Sequence, residues 1–410
     1  MFGQRQLLSR HVRRVLGRGP LDARGLIRPR DPDLRILEDR ASELVTRRAP
    51  RLLRPLLRPF SVLVWILACL LRLRRAARIA GWRLAPQVVG HSIARGNPVD
   101  ETAVLRMAFP GQWRRLPARR VANLMFESLA DRAQYRMLSD KVATAGMLAR
   151  CDVPVPPTIA VLDHPRDLPA NPALWAAPAD YFVKPVTGSH GNDAFRLSVL
   201  ADGQVAIDGA PPRPAQVAIS RLTDILRGGR LLVQPCLRSD MVLPFASPDA
   251  PAPVLRVTTT HARGQPPALH GAYLTLFRPG QTVARLGNGA IRFPVNPDTG
   301  LLLPGLRMAS PGERHACDPW SGRAVAGTML PAFDDAVAAA LRAHARFDGV
   351  VCIGWDVILT AAGPVILEGN VMLGWMLPNL WHLETGTSSP MAGLLAQCVR
   401  HDNARDQRPR

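Results

Sequence analysis

Apolar side chains recur at helical spacing between residues 100 and 150: Val121, Leu124, Met125 and Leu129, then Met137, Val142, Met147 and Leu148. This periodicity predicts helices. The stretch Val153-Pro154-Val155-Pro156-Pro157 stops them, since proline lacks an amide donor and disfavours helix in the residue before it. A strand is expected next, at Thr158 to Leu162. From Tyr181 the pattern shortens to β-type runs broken by turns, at Tyr181 to Pro185, Arg196 to Val199, Leu231 to Val233, Val254 to Thr260 and Tyr273 to Phe277. Antiparallel sheets are expected from these. Ala215 to Arg227 and Pro331 to Phe347 keep helical spacing, so the class is α+β, with no fixed-period internal repeat.

The first 50 or so residues are polar and rich in arginine, punctuated by Gly17, Gly19, Pro20, Pro29 and Pro32, and read as a partly ordered basic arm. Beyond them, Phe60 to Leu71 is an apolar run of twelve residues between Arg54 and Arg58 on one side and Arg72, Arg74 and Arg75 on the other. As a helix it spans about 18 Å, short of a hydrocarbon core of roughly 30 Å. It is either a buried core helix or an interfacial anchor whose arginines meet anionic lipid phosphates. Nothing at the start reads as a cleaved export signal, and a cytoplasmic protein is expected, with possible peripheral contact at the inner face of the membrane.

Composition changes this picture in two places. The chain of 410 residues is 47% hydrophobic and 20% charged, a globular balance, with a formal net charge of +20. Much of that charge lies in the first 120 residues and no aromatic RNA-binding motif accompanies it, so nucleic acid is not an expected partner. Among 52 basic residues only Lys141 and Lys184 are lysines. In a chain that otherwise uses arginine for every cation, two retained lysines suggest a compact ammonium placed between phosphate oxygens. The six cysteines, Cys69, Cys151, Cys236, Cys317, Cys352 and Cys398, have no metal-ligand spacing and read as reduced and buried.

Lys184 ends a β-type run and opens a turn, Val186-Thr187-Gly188-Ser189-His190-Gly191-Asn192, rich in amides and hydroxyls that can close over phosphate. Farther on, Cys352 to Leu359 and Pro364 to Asn370 flank a tight turn and form a hairpin. By alternation Asp356, Ile358, Ile366, Glu368 and Asn370 are expected on one face. Two carboxylates and an amide are suitable ligands for magnesium whose shell is completed by phosphate and water. Of the four histidines that invite assignment as bases, His190, His261, His270 and His315, only His190 falls in a candidate active-site loop. Trp355, Trp375 and Trp381 read as packing, with acceptor contact open for the last two.

Several motifs occur in order: Leu138-Ser139-Asp140-Lys141, Phe182-Val183-Lys184-Pro185, Pro253 to Thr258, Arg285 to Ile291, Asp318 to Gly322, Ile353 to Asp356 and Leu367 to Asn370. Together they resemble the ATP-grasp superfamily over roughly Leu138 to Trp381, most closely its sugar-transfer-associated family. The resemblance implies an ATP-grasp fold in which two α+β subdomains clasp ATP, preceded by a basic, mainly helical N-terminal region. It divides the chain at 1–100, 101–180, 181–240 (small subdomain), 241–400 (C-terminal subdomain) and 401–410 (tail). It implies that Lys141 and Lys184 contact ATP phosphates, covered by Thr187, Gly188, Ser189, His190 and Gly191. Adenine is expected at Gln234, Cys236 and Leu237, where Gln234 stands in place of the more usual glutamate, and ribose at Asp240. Asp356, Glu368 and Asn370 are the implied ligands of two Mg2+ ions, with Glu368 bridging them. Arg256 is the candidate to stabilise a transferred phosphoryl group, with a structural ion pair as its other role. Gly354 stands where related amino-acid ligases carry an arginine. Arg285, Asn288 and Arg292 are candidates for the substrate side. The implied activity is an ADP-forming ligase acting through an acylphosphate on a small-molecule or sugar-linked substrate. A kinase that stops at phosphoryl transfer and a non-catalytic nucleotide-binding scaffold at the membrane are the alternatives.

Overall fold

The computed structural model describes residues 23–50, 52, 54–112, 116–164, 167, 174–175, 177–187, 194–226, 229–239, 242–281, 289–371 and 373–406. Its N-terminal part is helical: α1 (Pro32–Arg48), α2 (Arg54–Leu70), α3 (Leu73–Ala80), α4 (Ala85–Arg95), α5 (Val99–Ala108), α6 (Arg119–Leu129), α7 (Arg132–Ser139) and α8 (Lys141–Ala149). A first sheet follows, from β1 (Ala160–Leu162), β2 (Ala179–Pro185), β3 (Phe195–Val199), β4 (Gln204–Ile207) and β5 (Arg213–Pro214), then helix α9 (Ala215–Leu226) and β6 (Leu231–Pro235). Its strand order is β1-β6-β2-β3-β4-β5. The second sheet contains β7 (Val254–Thr260), β8 (Ala268–Leu276), β9 (Ile291–Val295), β10 (Gly305–Arg307) and β11 (Ser310–His315), then, after helix α10 (Phe333–His344), β12 (Cys352–Thr360) and β13 (Gly363–Asn370). It runs β11-β10-β9-β8-β7-β12-β13 and is closed in sequence by helices α11 (Leu380–Thr385) and α12 (Met391–Asp406). Both sheets are antiparallel throughout, and the α+β class is as expected.

The largest difference from the sequence reading is α1, which replaces residues 32–48 of the expected basic arm with helix. Asp31 caps it, accepting from the amides of Asp33 at 2.9 Å and Leu34 at 3.2 Å, and Pro32 opens its first turn without losing a needed donor. Leu34, Leu37 and Ala41 then recur on one face and are buried with the chain's opposite end, Leu395 and Val399 of α12. That helix continues to Asp406, so the tail expected from 401 is mostly helix. Strand β8 begins at Ala268, five residues ahead of the expected start at Tyr273, because polar His270 and small Gly271 mask its apolar pattern.

Three cores result. The first sheet and α9 share one, built on Val183, Phe195, Leu222 and Val233, and it starts at β1 rather than at residue 181. A small helical core joins α2 to α5 through Trp65, Val88 and Ala103. The large core lies on one face of the second sheet and gathers α1, α6, α10 and α12 around Trp355, Trp375 and Phe126. Cys69 and Cys352 are buried as expected, whereas Cys317 is exposed. Among the described residues no single helix is long and apolar enough to cross a membrane.

Candidate active site

The hairpin β12–β13 gives the site its acid. Asp356 pairs with Glu368 and Gly354 with Asn370, so both carboxylates and the amide emerge on one face, as alternation predicts. The register then slips between Asp356 and Val357. The extra residue sets Ile366 opposite Val357, and both join the large core, so Ile366 does not share the carboxylate face. Asn370 Nδ2 donates to Asp356 Oδ2 and to Glu368 Oε1, each at 3.2 Å, and so bridges the two acids.

The adjoining strand β7 places Arg256 directly across from Asp356. The guanidinium grips the carboxylate with both prongs, Nε to Oδ1 at 2.5 Å and Nη2 to Oδ2 at 2.9 Å. Gly354 makes room for it. A Cβ there would stand 2.6 Å from Leu373 Cδ2 and 3.0 Å from both Arg256 Cδ and Nη1. The absent arginine and the present one are therefore linked: the side chain of Arg256 crosses the space that any larger residue at 354 would need. Gly369 is constrained from behind, where a Cβ would come within 2.7 Å of the Trp355 ring.

The first sheet and α8 bring the lysines. Lys184 on β2 pairs with Leu232 of β6 and is 6% exposed. Lys141 opens α8, its amide donating to Val186 O at 3.1 Å just after β2, while its ammonium stands 3.7 Å from Glu368 Oε2. Asp140 caps the same helix, accepting from Val142 and Ala143. Burial pushes the Lys184 ammonium down to about 8, against the pull of Glu368. Burial alone would raise Glu368, but Lys184 and Lys141 together hold it below the usual carboxylate range. Asp356 is raised, burial and the neighbouring Glu368 outweighing the attraction of Arg256. Arg256 itself is buried, which opposes its charge, yet Asp356 holds it firmly protonated.

The same sheet face continues away from the acids. Arg256 pairs with Tyr273 of β8, and Tyr273 with Pro294 of β9, two residues from Arg292. Arg292 is 3% exposed, and its Nε and Nη1 have no hydrogen-bond partner. Burial, then the nearby Arg256, lowers its pKa despite Tyr273. Tyr273, raised by its own burial, is a site neighbour that the sequence reading missed. Its signal was the pairing of strands, since along its own strand it looks like one more apolar position.

Other expected residues divide. Gln234 is buried and its Nε2 donates to Pro156 O at 3.3 Å, while the amide of Cys236 donates to Asp180 O at 2.8 Å. Gln234 lies near the end of β6, and Cys236 and Leu237 follow just beyond it. Thr187 is exposed beyond Lys184. Gly188, Ser189, His190, Gly191, Asp240, Arg285 and Asn288 lie outside the described residues. His270 is structural: it is buried, bonded to Asn379 Oδ1 at 3.0 Å and pushed down by burial to about 4. Behind the hairpin, Trp355 Nε1 donates to Thr259 Oγ1, the Thr259 hydroxyl faces His344 Nδ1 at 2.6 Å, and His344 Nε2 reaches Val350 O. Trp375 is 1% exposed and stacked on Phe126, so it packs the core and does not face an acceptor.

The donor set fits magnesium in one way only. Among the described residues no three His, Cys, Asp or Glu side chains cluster, so a metal here would have two carboxylates and the Asn370 amide oxygen. That is too few for a cage of protein ligands, but it matches a hard cation completed by phosphate oxygens and water. The Asn370 oxygen would have to turn toward the acids in place of its nitrogen, an exchange that leaves its shape unchanged.

A family model described as sugar-transfer associated ATP-grasp matches residues 121–382. Among solved structures the chain is similar to a D-cycloserine synthetase, at 18% identity over 67% of this chain and 73% of that one, with a TM-score of 0.38. It is also similar to D-alanyl-alanine synthetase A from Vibrio cholerae, at 12% identity, 67% and 68% coverage and a TM-score of 0.41. For the D-alanine-D-alanine ligase from Coxiella burnetii the identity is 12%, the coverage 68% of this chain and 62% of that chain, and the TM-score 0.39. No curated protein matches the sequence.

Proposed function

Because the chain belongs to the sugar-transfer associated ATP-grasp family, we propose that it is an ATP- and magnesium-dependent, ADP-forming ligase joining a carboxylate to an amine or a similar nucleophile. The observation that carries this reading is the convergence of Lys184 and Lys141, from the first sheet and α8, on Glu368 and Asp356 of the second. Two cations facing two acids suit a nucleotide triphosphate: the lysines take phosphate oxygens, and the acids with Asn370 hold the metal. Magnesium, when bound, supplies charge neutralisation of the phosphates and a fixed orientation for in-line transfer. Gln234, Cys236 and Leu237, at the end of β6, meet the adenine, and Asp240 serves the ribose.

Arg256 uses Nε and Nη2 on Asp356 and keeps Nη1 for the equatorial oxygens of the moving phosphoryl group. Arg292 supports a carboxylate substrate: two unpartnered nitrogens in a buried guanidinium call for an anionic acceptor. Arg285 and Asn288 complete that side. The carboxylate is phosphorylated, and the acylphosphate is then attacked by the nucleophile with release of phosphate. Substrates of the class are a sugar, a cell-surface polysaccharide precursor or an amino acid, and supply of ATP places the reaction in the cytoplasm.

The test is ADP release measured across panels of amino acids and amino sugars, with mass analysis of the product. A new amide or related bond, formed together with ADP and phosphate, is expected. Phosphorylated substrate with no such bond would establish the kinase in its place, and nucleotide binding without turnover on any panel would favour the scaffold.

A further inference from the structure

One face of α2 breaks the inside-out pattern of the molecule. Leu56, Phe60, Leu63, Leu67, Leu70 and Leu71 recur every three or four residues and are all exposed, from 53% at Leu70 to 76% at Leu71. The opposite face, Ser61, Trp65, Ala68 and Cys69, is buried against the small helical core, where Trp65 Nε1 donates to Ser92 O at 3.1 Å. Trp82, 66% exposed, adds an amphipathic ring just beyond α3. This corrects the choice left open by the sequence: α2 is a core helix on one side and, among the described residues, an unpartnered apolar surface on the other.

The charge around that surface says what covers it. Residues 44 to 99 contain eleven arginines and no Asp or Glu. Arg54 is exposed at the start of α2, and Arg74, Arg78 and Arg83 are exposed in and just after α3. A second copy of the chain on this face would bring two arginine rims together, which like charge opposes. A layer of anionic headgroups over hydrocarbon complements both parts at once. A transmembrane course does not fit. The pair α2 and α3 is bent by 50°, and one side of each is committed to protein.

We propose that α2 is an interfacial membrane helix, lying in the plane of an anionic bilayer with its leucines among the acyl chains and its flanking arginines on lipid phosphates. The surface faces lipid whatever the chemistry of the nucleotide site, so this inference stands apart from the ligase reading.

The experiment floats the full chain with vesicles of phosphatidylcholine alone or mixed with phosphatidylglycerol. Expected are binding to the mixed vesicles that high salt weakens, and a loss of about tenfold or more in Leu63→Glu/Leu67→Glu. A milder variant, Leu63→Ser/Leu67→Ser, should lower binding in the same direction, and circular dichroism should show both variants folded. Nucleotide hydrolysis should not change, since neither position touches the site. Three results would each overturn the proposal: no binding to mixed vesicles; a dimer seen by light scattering that the same substitutions dissolve while vesicle binding is absent; or a chain that alkaline carbonate cannot strip from vesicles, which means insertion across the bilayer.

Discussion

Two regions of this molecule depart from the usual sorting of side chains, and they do so in opposite directions. The face of the second sheet holds Asp356, Glu368 and Arg256 mostly out of solvent and buries Arg292 and, from the first sheet, Lys184. The free face of α2 exposes leucines and a phenylalanine. Buried charge costs several kcal/mol per ion unless partners offset it, and exposed apolar surface forgoes about 25 cal/mol per Å². Neither region is therefore explained by stability. The sheet face balances most of its charge internally, so its residues depend on one another. The helix face has no internal balance, so its residues are independent and removable. That difference can be broken by mutation.

The largest effect is expected in turnover. Lys184→Ala and Glu368→Ala should each lower it by on the order of a hundred- to a thousand-fold, the scale seen when one preorganised charge is removed from a transition state. Unchanged ADP release in either variant would show that the charges on the sheet face are structural. Next comes stability. Asp356→Ala leaves Arg256 buried without its carboxylate and should cost about 3–5 kcal/mol in thermal or urea unfolding. The double variant Asp356→Leu/Arg256→Met should recover most of that loss while remaining inactive. Leu67→Ser on α2, by contrast, should change unfolding by less than about 0.5 kcal/mol. A comparable loss at Leu67 would mean that the helix face is packed after all.

How much of this was legible in the sequence follows from the range of each interaction. Asp356, Glu368 and Asn370 could be placed together because a hairpin is local and its alternation fixes the face. The slip that removes Ile366 from that face could not, because a bulge adds a residue without changing the pattern of residue types. Arg256 was named as a candidate, but its grip on Asp356 depends on β7 lying beside β12, a neighbour 100 residues away in the chain. Gly354 was noted as a departure, and the approach of Leu373 and Arg256 explains it. The missed helix α1 is different in kind. Its signals were local and present: Asp31 as cap, Pro32 at the first turn, and Leu34, Leu37 and Ala41 at helical spacing. The surrounding arginines and prolines obscured them.

Arg292 sharpens the comparison from inside the sheet, because it is the one charge on that face with orphaned N–H groups among the described residues of the site. If it serves a substrate anion, it should contribute nothing to the fold in the anion's absence. Arg292→Met, close in length and unable to leave donors unpaired, should unfold at the wild-type midpoint or gain about 1 kcal/mol. Its KM for the carboxylate substrate should rise about tenfold or more, as loss of a charge-assisted pair of about 1.5–3 kcal/mol requires. A clear loss of stability with unchanged KM would make Arg292 a structural residue.

The smallest expected effect reads the electrostatics of Lys184 directly. Burial holds its ammonium down to about 8 without nucleotide, and phosphate oxygens would favour the charged form and raise it. The sign follows from proton counts: above pH 8 the free protein has shed protons that the complex retains. Nucleotide binding at pH 8.5 should therefore take up a fraction of a proton, and affinity should fall as pH rises past 8. Calorimetry in buffers of different ionisation enthalpy measures that uptake. Lys184→Arg keeps the charge at every pH in the range and should abolish the uptake even where it weakens binding. Equal uptake in wild type and Lys184→Arg would assign the proton to another group and remove Lys184 from the phosphates.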